Sequence, residues 1–185
     1  MGDDPRRWRN GVAESTLRTI GIEMGQTVLD FGCGEGWYSI PISIIVGPDG
    51  TVYALDRDRS ELDILSSRMF SQNIDNCKII HSKGERIDLP DDHLDVVLLF
   101  DVLHYYYFSD ESDRRSLLRE IKRVLNPNGF LSLYPKHLES WSDPNMDQVE
   151  RELEEEDFWL AESKRVTMIH EEVLEKSTIM NYRIL

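Results

Sequence analysis

Short, nearly continuous apolar stretches alternate along this chain with segments whose apolar residues recur every three or four positions. The first pattern reads as buried strand and the second as amphipathic helix. After a polar arm over residues 1–10, Ala13, Leu17 and Ile20 predict a short helix ended by Gly21. Pro5 argues against a helix within the arm, which is expected to be a mobile basic terminus, with a lid folded over a binding site through Arg6, Arg7, Trp8 and Arg9 as the alternative. The run TVLDF at 27–31 predicts a strand, followed by a glycine-rich turn at 32–36 and an apolar helix to about Val46. Gly-Pro-Asp-Gly at 47–50 is a strong turn signal before a second strand at 51–55.

Residues 60–70 predict a helix with Leu62, Leu65 and Met69 on one face, and 78–81 a short third strand. A fourth strand (94–100), a helix (114–125) stopped by Asn-Pro-Asn-Gly, and a fifth strand (130–134) follow. A loop, an acidic helix at 147–156 and two last strands, 158–169 and 178–184, complete the pattern. Repeated strand–helix–strand units imply an α/β fold with a mostly parallel sheet. The connection between the last two strands, 171–176, is too short for a helical crossover, so these should pair antiparallel.

Composition narrows the class. A chain of 185 residues predicts one domain, here 11–185 behind the arm, and 40% apolar residues suffice for a packed core. The longest apolar run, at 40–46, falls far short of the roughly 20 residues that span a bilayer. Charged residues at 3, 4, 6, 7 and 9 stand where a secretory leader has its apolar core, so a cytoplasmic protein is expected. Cys33 and Cys77 form no CxxC pair, and His81, His93 and His170 are scattered, so neither a disulfide framework nor a metal site is expected. A net charge of −14 makes nucleic acid a poor partner.

The candidate chemistry centres on Val28-Leu29-Asp30-Phe31-Gly32-Cys33-Gly34-Glu35-Gly36. Glycines here let the chain turn sharply and a ligand approach the backbone. Asp56 closes the second strand, 20 residues after Gly36, where an acid commonly accepts from two ribose hydroxyls. Dinucleotide sites use G-x-G-x-x-G, whereas this spacing is G-x-G-x-G with Asp30 and Glu35 beside it. Carboxylates repel a pyrophosphate but suit an ammonium or a sulfonium, which favours an adenosyl amino acid.

With these residues in view, the sequence resembles class I S-adenosylmethionine-dependent methyltransferases of the small-molecule type. The matching pieces are VLDFGCGEG, YALD, GERIDLPDDHLDVV and RVLNPNGFLSLY, in the family's order over roughly residues 15–135. The resemblance implies a seven-stranded Rossmann-like sheet of order 3-2-1-4-5-7-6 with one strand reversed and helices on both faces. It implies S-adenosylmethionine as cofactor and a small-molecule methyl acceptor. Asp30 and the backbone of Gly32, Gly34 and Gly36 would hold the methionine part. Asp56 would take the ribose and Arg57 would lie beside the adenine. Gly84, Glu85 and Arg86 match the family's Gly-Asp-Ala before Leu89-Pro90, with Glu85 and the Arg86 N–H on the adenine. Asp101 would meet the cofactor's amino end. Here Glu replaces Asp and Arg replaces a small residue.

After the fourth strand comes Asp101-Val102-Leu103-His104-Tyr105-Tyr106-Tyr107-Phe108. His104 is the candidate general base or substrate contact, against a histidine that only bonds within its loop. The tyrosines wall a pocket or pack. Lys136, His137 and Trp141 stand in the loop after the fifth strand, with His137 expected in solvent. Two other readings stay open: a cofactor-binding partner or regulatory subunit without catalysis, and a nicotinamide-dependent oxidoreductase. A nucleic-acid methyltransferase is weaker, because no Asn/Asp-Pro-Pro-Tyr/Phe motif follows the fourth strand.

Overall fold

A computed structural model describes residues 3–83, 86–139 and 141–185. Seven strands form one sheet: β1 (Thr27–Phe31), β2 (Thr51–Asp56), β3 (Cys77–His81), β4 (Leu94–Phe100), β5 (Leu125–Tyr134), β6 (Phe158–His170) and β7 (Val173–Ile184). Their order is β3-β2-β1-β4-β5-β7-β6. The first five strands pair parallel, and β7 runs antiparallel to both β5 and β6. This is the expected architecture.

The period-two alternation of strand side chains divides two cores. On β4, Val97 and Leu99 face one side while Val96, Leu98 and Phe100 face the other. The first side is covered by α5 (Glu111–Val124) and α6 (Met146–Glu155), through Leu117, Leu118, Ile121, Val149 and Leu153. The second is covered by α2 (Ala13–Ile20), α3 (Ser39–Val46) and α4 (Arg59–Ser71), through Leu17, Ile20, Ile42, Val46, Leu62 and Leu65. Both faces of the central strands β1 and β4 are buried, so their sequences read as nearly continuous apolar runs.

Side chains at the helix starts satisfy free backbone donors. Asp58 accepts from the Ser60 N–H at 2.9 Å and Asp110 from the Ser112 N–H at 2.7 Å. Asn145 and Gln148 form a reciprocal capping box on α6.

The structure departs from the sequence pattern in three places. The arm is helical: α1 (Asp4–Arg7) begins with Pro5 in its first turn, where a proline's missing N–H costs nothing. It is also anchored, since Trp8 is buried against Tyr38 and Ile169 and donates from Nε1 to the Trp37 carbonyl at 2.9 Å. The link between the last strands is two residues, Glu171 and Glu172, both with positive φ, so β7 begins at Val173. That is the twist a tight hairpin needs, although Asn-Gly or Asp-Gly usually supplies it. Finally, Asn126 to Gly129 end α5 but lie inside β5, across a register shift opposite Leu94 and Val96.

Candidate active site

A cleft of about 1060 Å³ opens at the carboxyl ends of the parallel strands, the edge where ligands bind in open α/β sheets. The turn after β1, the end of β2, the loop after β4, Tyr134 at the end of β5 and the β6–β7 turn all contribute to its wall.

The glycine turn is held from behind. The Gly32 and Cys33 N–H groups both donate to the Leu55 carbonyl, at 2.8 and 3.0 Å, which ties the turn to β2. At Gly32 φ is +78° and a Cβ would come within 2.7 Å of Val102, so this position admits no side chain. Gly34 differs, because a Cβ there would meet nothing closer than Glu61 at 3.9 Å. Its bare backbone faces open cleft, leaving room for a ligand to lie against the chain. The helix α3 starts at Ser39, three residues after Gly36.

Asp56 joins two elements. One carboxylate oxygen accepts from the Gly34 N–H and the other from the Asp58 N–H, each at 2.8 Å. Each oxygen keeps a lone pair for a ligand hydroxyl. Arg57 lines the cleft with its guanidinium 4.2 Å over the Tyr107 ring, a cation–π contact.

Among the described residues the cleft wall carries eight carboxylate side chains against two cations, Arg57 and Lys83. That donor set disfavours a pyrophosphate and suits hydroxyls and a cationic group, so it fits S-adenosylmethionine better than a dinucleotide.

Asp30 does not line the cleft but lies buried beneath the turn, accepting from the Ser39 hydroxyl at 2.5 Å. Burial, helped by nearby Asp56 and opposed by Ser39, raises its pKa to about 6. The native state therefore holds a proton there that the unfolded chain has released, and stability from this group is lost as pH rises through about 6. A shift from 3.8 to about 6 corresponds to roughly 3 kcal/mol when ionisation is complete. Asp30→Asn should recover about 1 kcal/mol of this at pH 8 and nothing at pH 4. Thermal unfolding of both proteins across that range checks it: the gap in Tm should widen with rising pH. Burial likewise pushes the Cys33 thiol up, with Asp30 and Asp56 adding to the effect, so Cys33 offers no thiolate nucleophile.

His104 takes a different place from the one its position in the sequence suggested. Its ring is 3% exposed and is not on the cleft wall. Nε2 bonds to the Asp101 carbonyl at 3.1 Å and Nδ1 accepts from the Tyr106 N–H at 3.4 Å. Both nitrogens are committed to the loop, and burial lowers the ring's pKa. In this geometry His104 braces the loop. Tyr105 and Tyr106 are exposed and stacked on each other, while Tyr107 and Phe108 line the cleft.

Asp101 lines the cleft, and its side chain meets two histidines. His137 Nδ1 lies 2.8 Å from Oδ1 and His170 Nε2 lies 3.0 Å from Oδ2. The histidines expected to be scattered or in solvent thus converge from the loop after β5 and the end of β6. Gly84 and Glu85 lie outside the described residues. Arg86 is exposed, and of the described residues around this segment Ser82 and Lys83 line the cleft.

Three wall residues escaped the sequence reading. Trp37 is flanked by the Arg9 and Arg68 guanidiniums, each 5.2 Å from its ring, and Arg68 also pairs with Glu35. Through Trp8 and Arg9 the N-terminal arm thus fixes one side of the cleft. Tyr134 donates to Glu175, and His170 comes from the far end of the chain. No local motif marks any of the three.

Comparison with known proteins agrees with the geometry. The methyltransferase domain family matches residues 29–133. A demethylmenaquinone methyltransferase of Geobacillus sp. (strain WCH70) is 28% identical over 123 residues, 66% of this chain and 49% of that protein. One of Listeria monocytogenes serotype 4a is 28% identical over 126 residues, 68% of this chain and 49% of that protein. The chain spans about half the length of the curated relatives it matches. Among solved structures, a SAM-dependent methyltransferase from Aquifex aeolicus superposes with a TM-score of 0.73 at 22% identity, covering 98% of both chains. TrmN from Thermus thermophilus gives 0.72 at 19% identity, covering 94% of this chain and 48% of that one.

Proposed function

The chain belongs to the methyltransferase domain family, with the class I fold and S-adenosylmethionine as its cofactor, and from that premise we propose that it methylates a small-molecule acceptor. The observation that carries this reading is the acidic cleft built around Asp56 and the glycine turn. A wall with so few cations suits neither a polyphosphate nor a nucleic-acid backbone. The names of the relatives, whose acceptor is a demethylmenaquinone, support a small organic acceptor.

When bound, S-adenosylmethionine supplies a methyl group on a sulfonium. The chain's own residues bind and orient. Asp56 would accept the ribose hydroxyls on its two remaining lone pairs. The Gly32–Gly34 backbone, with the Asp30 carboxyl beneath it, would hold the methionine part. Arg57, held on Tyr107, would stand at the adenine side. Tyr107, Phe108, Trp37 and Tyr134 supply apolar wall that excludes water and aligns the acceptor. Alignment of this kind accounts for much of the rate of a displacement reaction.

Calorimetric titration with S-adenosylmethionine, S-adenosylhomocysteine and NADH tests the cofactor site. Binding of both adenosyl ligands with no heat from NADH is expected, with a rise in Tm at saturation. Absence of adenosyl binding would overturn the reading. Binding without turnover on any acceptor would favour a non-catalytic partner subunit.

A further inference from the structure

Asp101, His137 and His170 stand in three segments distant in sequence, yet one ligand atom from each lies within 4.8 Å of the others. We infer that these three side chains form a binding site for a divalent first-row transition ion. The Asp101 carboxylate sits between two imidazoles, with nitrogens 2.8 and 3.0 Å from its two oxygens. Ligand atoms that share one ion at about 2.0–2.2 Å lie roughly 3–3.5 Å apart; each imidazole nitrogen already stands near that distance from one Asp101 oxygen, and the three ligand atoms, all within 4.8 Å of one another, need only a small shift to close on one ion.

The donor set selects the ion class. Two imidazoles and one carboxylate suit zinc, cobalt, nickel or ferrous iron better than magnesium or calcium, which prefer oxygen alone. Asp101 and His170 line the cleft, so an ion held here keeps coordination positions open towards it.

Two further observations support a built site. Asp101 and His137 both take left-handed backbone, with φ of +58° and +57°. Non-glycine residues persist there only when their surroundings impose it, and such residues cluster at ligand clamps. Behind them, the buried His104 ring bonds to the Asp101 carbonyl and fixes its orientation. The local field also favours a cation. Glu171 and Glu172 follow His170 on the cleft wall, and the neighbouring Lys136 ammonium is occupied by Glu175 at 2.8 Å.

The experiment uses the whole chain, stripped with a chelator, and is independent of methyl transfer. Cobalt(II) titration followed by visible absorption, and zinc(II) titration by calorimetry, should show one ion per chain. Asp101→Asn, His137→Ala and His170→Ala should each weaken binding by at least the roughly 10–100-fold that loss of a supporting residue costs a metal site. His93→Gln, remote from the cluster, should leave it unchanged. Should a variant fail to fold, imidazole nitrogen NMR of the unaltered chain decides the matter. Zinc should shift His137 and His170 and leave His81 and His93 in place. No ion bound at millimolar concentration, or equal binding after loss of His170, would overturn the site and leave a hydrogen-bonded clamp.

Discussion

Arg114→Ala should destabilise the fold by about 3–5 kcal/mol, the usual cost of leaving one member of a buried ion pair unpartnered. Arg114 and Glu152 are both buried and face each other in a two-pronged pair, Nε to Oε2 at 2.8 Å and Nη2 to Oε1 at 2.5 Å. The pair ties α5 to α6 on the side of the sheet away from the glycine turn's helix. The same guanidinium donates from Nη1 to the carbonyls of Phe108 and Ser109, at 2.9 and 3.0 Å. Removing it strands a buried carboxylate and two carbonyls together. For a domain of this size the loss corresponds to a fall in Tm of roughly 6–20 °C.

The double variant Arg114→Met with Glu152→Leu separates the two roles. Apolar side chains of similar volume replace buried ion pairs with little loss, so most of the stability should return. The loop carbonyls would still lack their donor. Phe108 should therefore be held less firmly on the cleft wall, and S-adenosylmethionine affinity should stay reduced after Tm recovers. Thermal unfolding and calorimetry on the same three proteins check this. A double variant as unstable as Arg114→Ala would show that the pair itself is not what holds α5 to α6.

Asp56→Ala should weaken S-adenosylmethionine binding by about two to four orders of magnitude. Each hydrogen bond to a charged group contributes about 1.5–3 kcal/mol, and the carboxylate is proposed to accept two from the ribose. The substitution also unclips the Gly34 and Asp58 N–H groups, which now share its two oxygens. Asp56→Asn should fall in between, because its amide keeps one acceptor oxygen and turns the other into a donor. Calorimetric Kd values for the three proteins give the ranking. Unchanged affinity in Asp56→Ala would remove the ribose assignment while leaving the fold intact.

The sequence by itself determined what is local or periodic. The strand and helix patterns yielded the sheet, because a buried parallel strand must be apolar on both faces and its covering helix on one. The turn from Gly32 to Gly36 was legible because φ near +78° at Gly32, with Val102 against it, leaves no room for a side chain. Asp56 was legible because it ends a strand paired in register with β1, Leu55 opposite Phe31, so chain spacing translates into distance.

Only the tertiary structure decided where the histidines stand. His104 carried the local signal, and burial turned it inwards. His137 and His170 carried none. They meet Asp101 because left-handed backbone turns Asp101 and His137 towards each other, and because two glutamates with positive φ fold β7 back at once, ending β6 at the cleft. The anchoring of the arm by Trp8 has the same origin. The surfaces it packs against, at Tyr38 and Ile169, come together only when the whole sheet is assembled. Periodicity reports which side of its own element a residue occupies. It carries no information on which distant residue stands opposite, and that is set by packing.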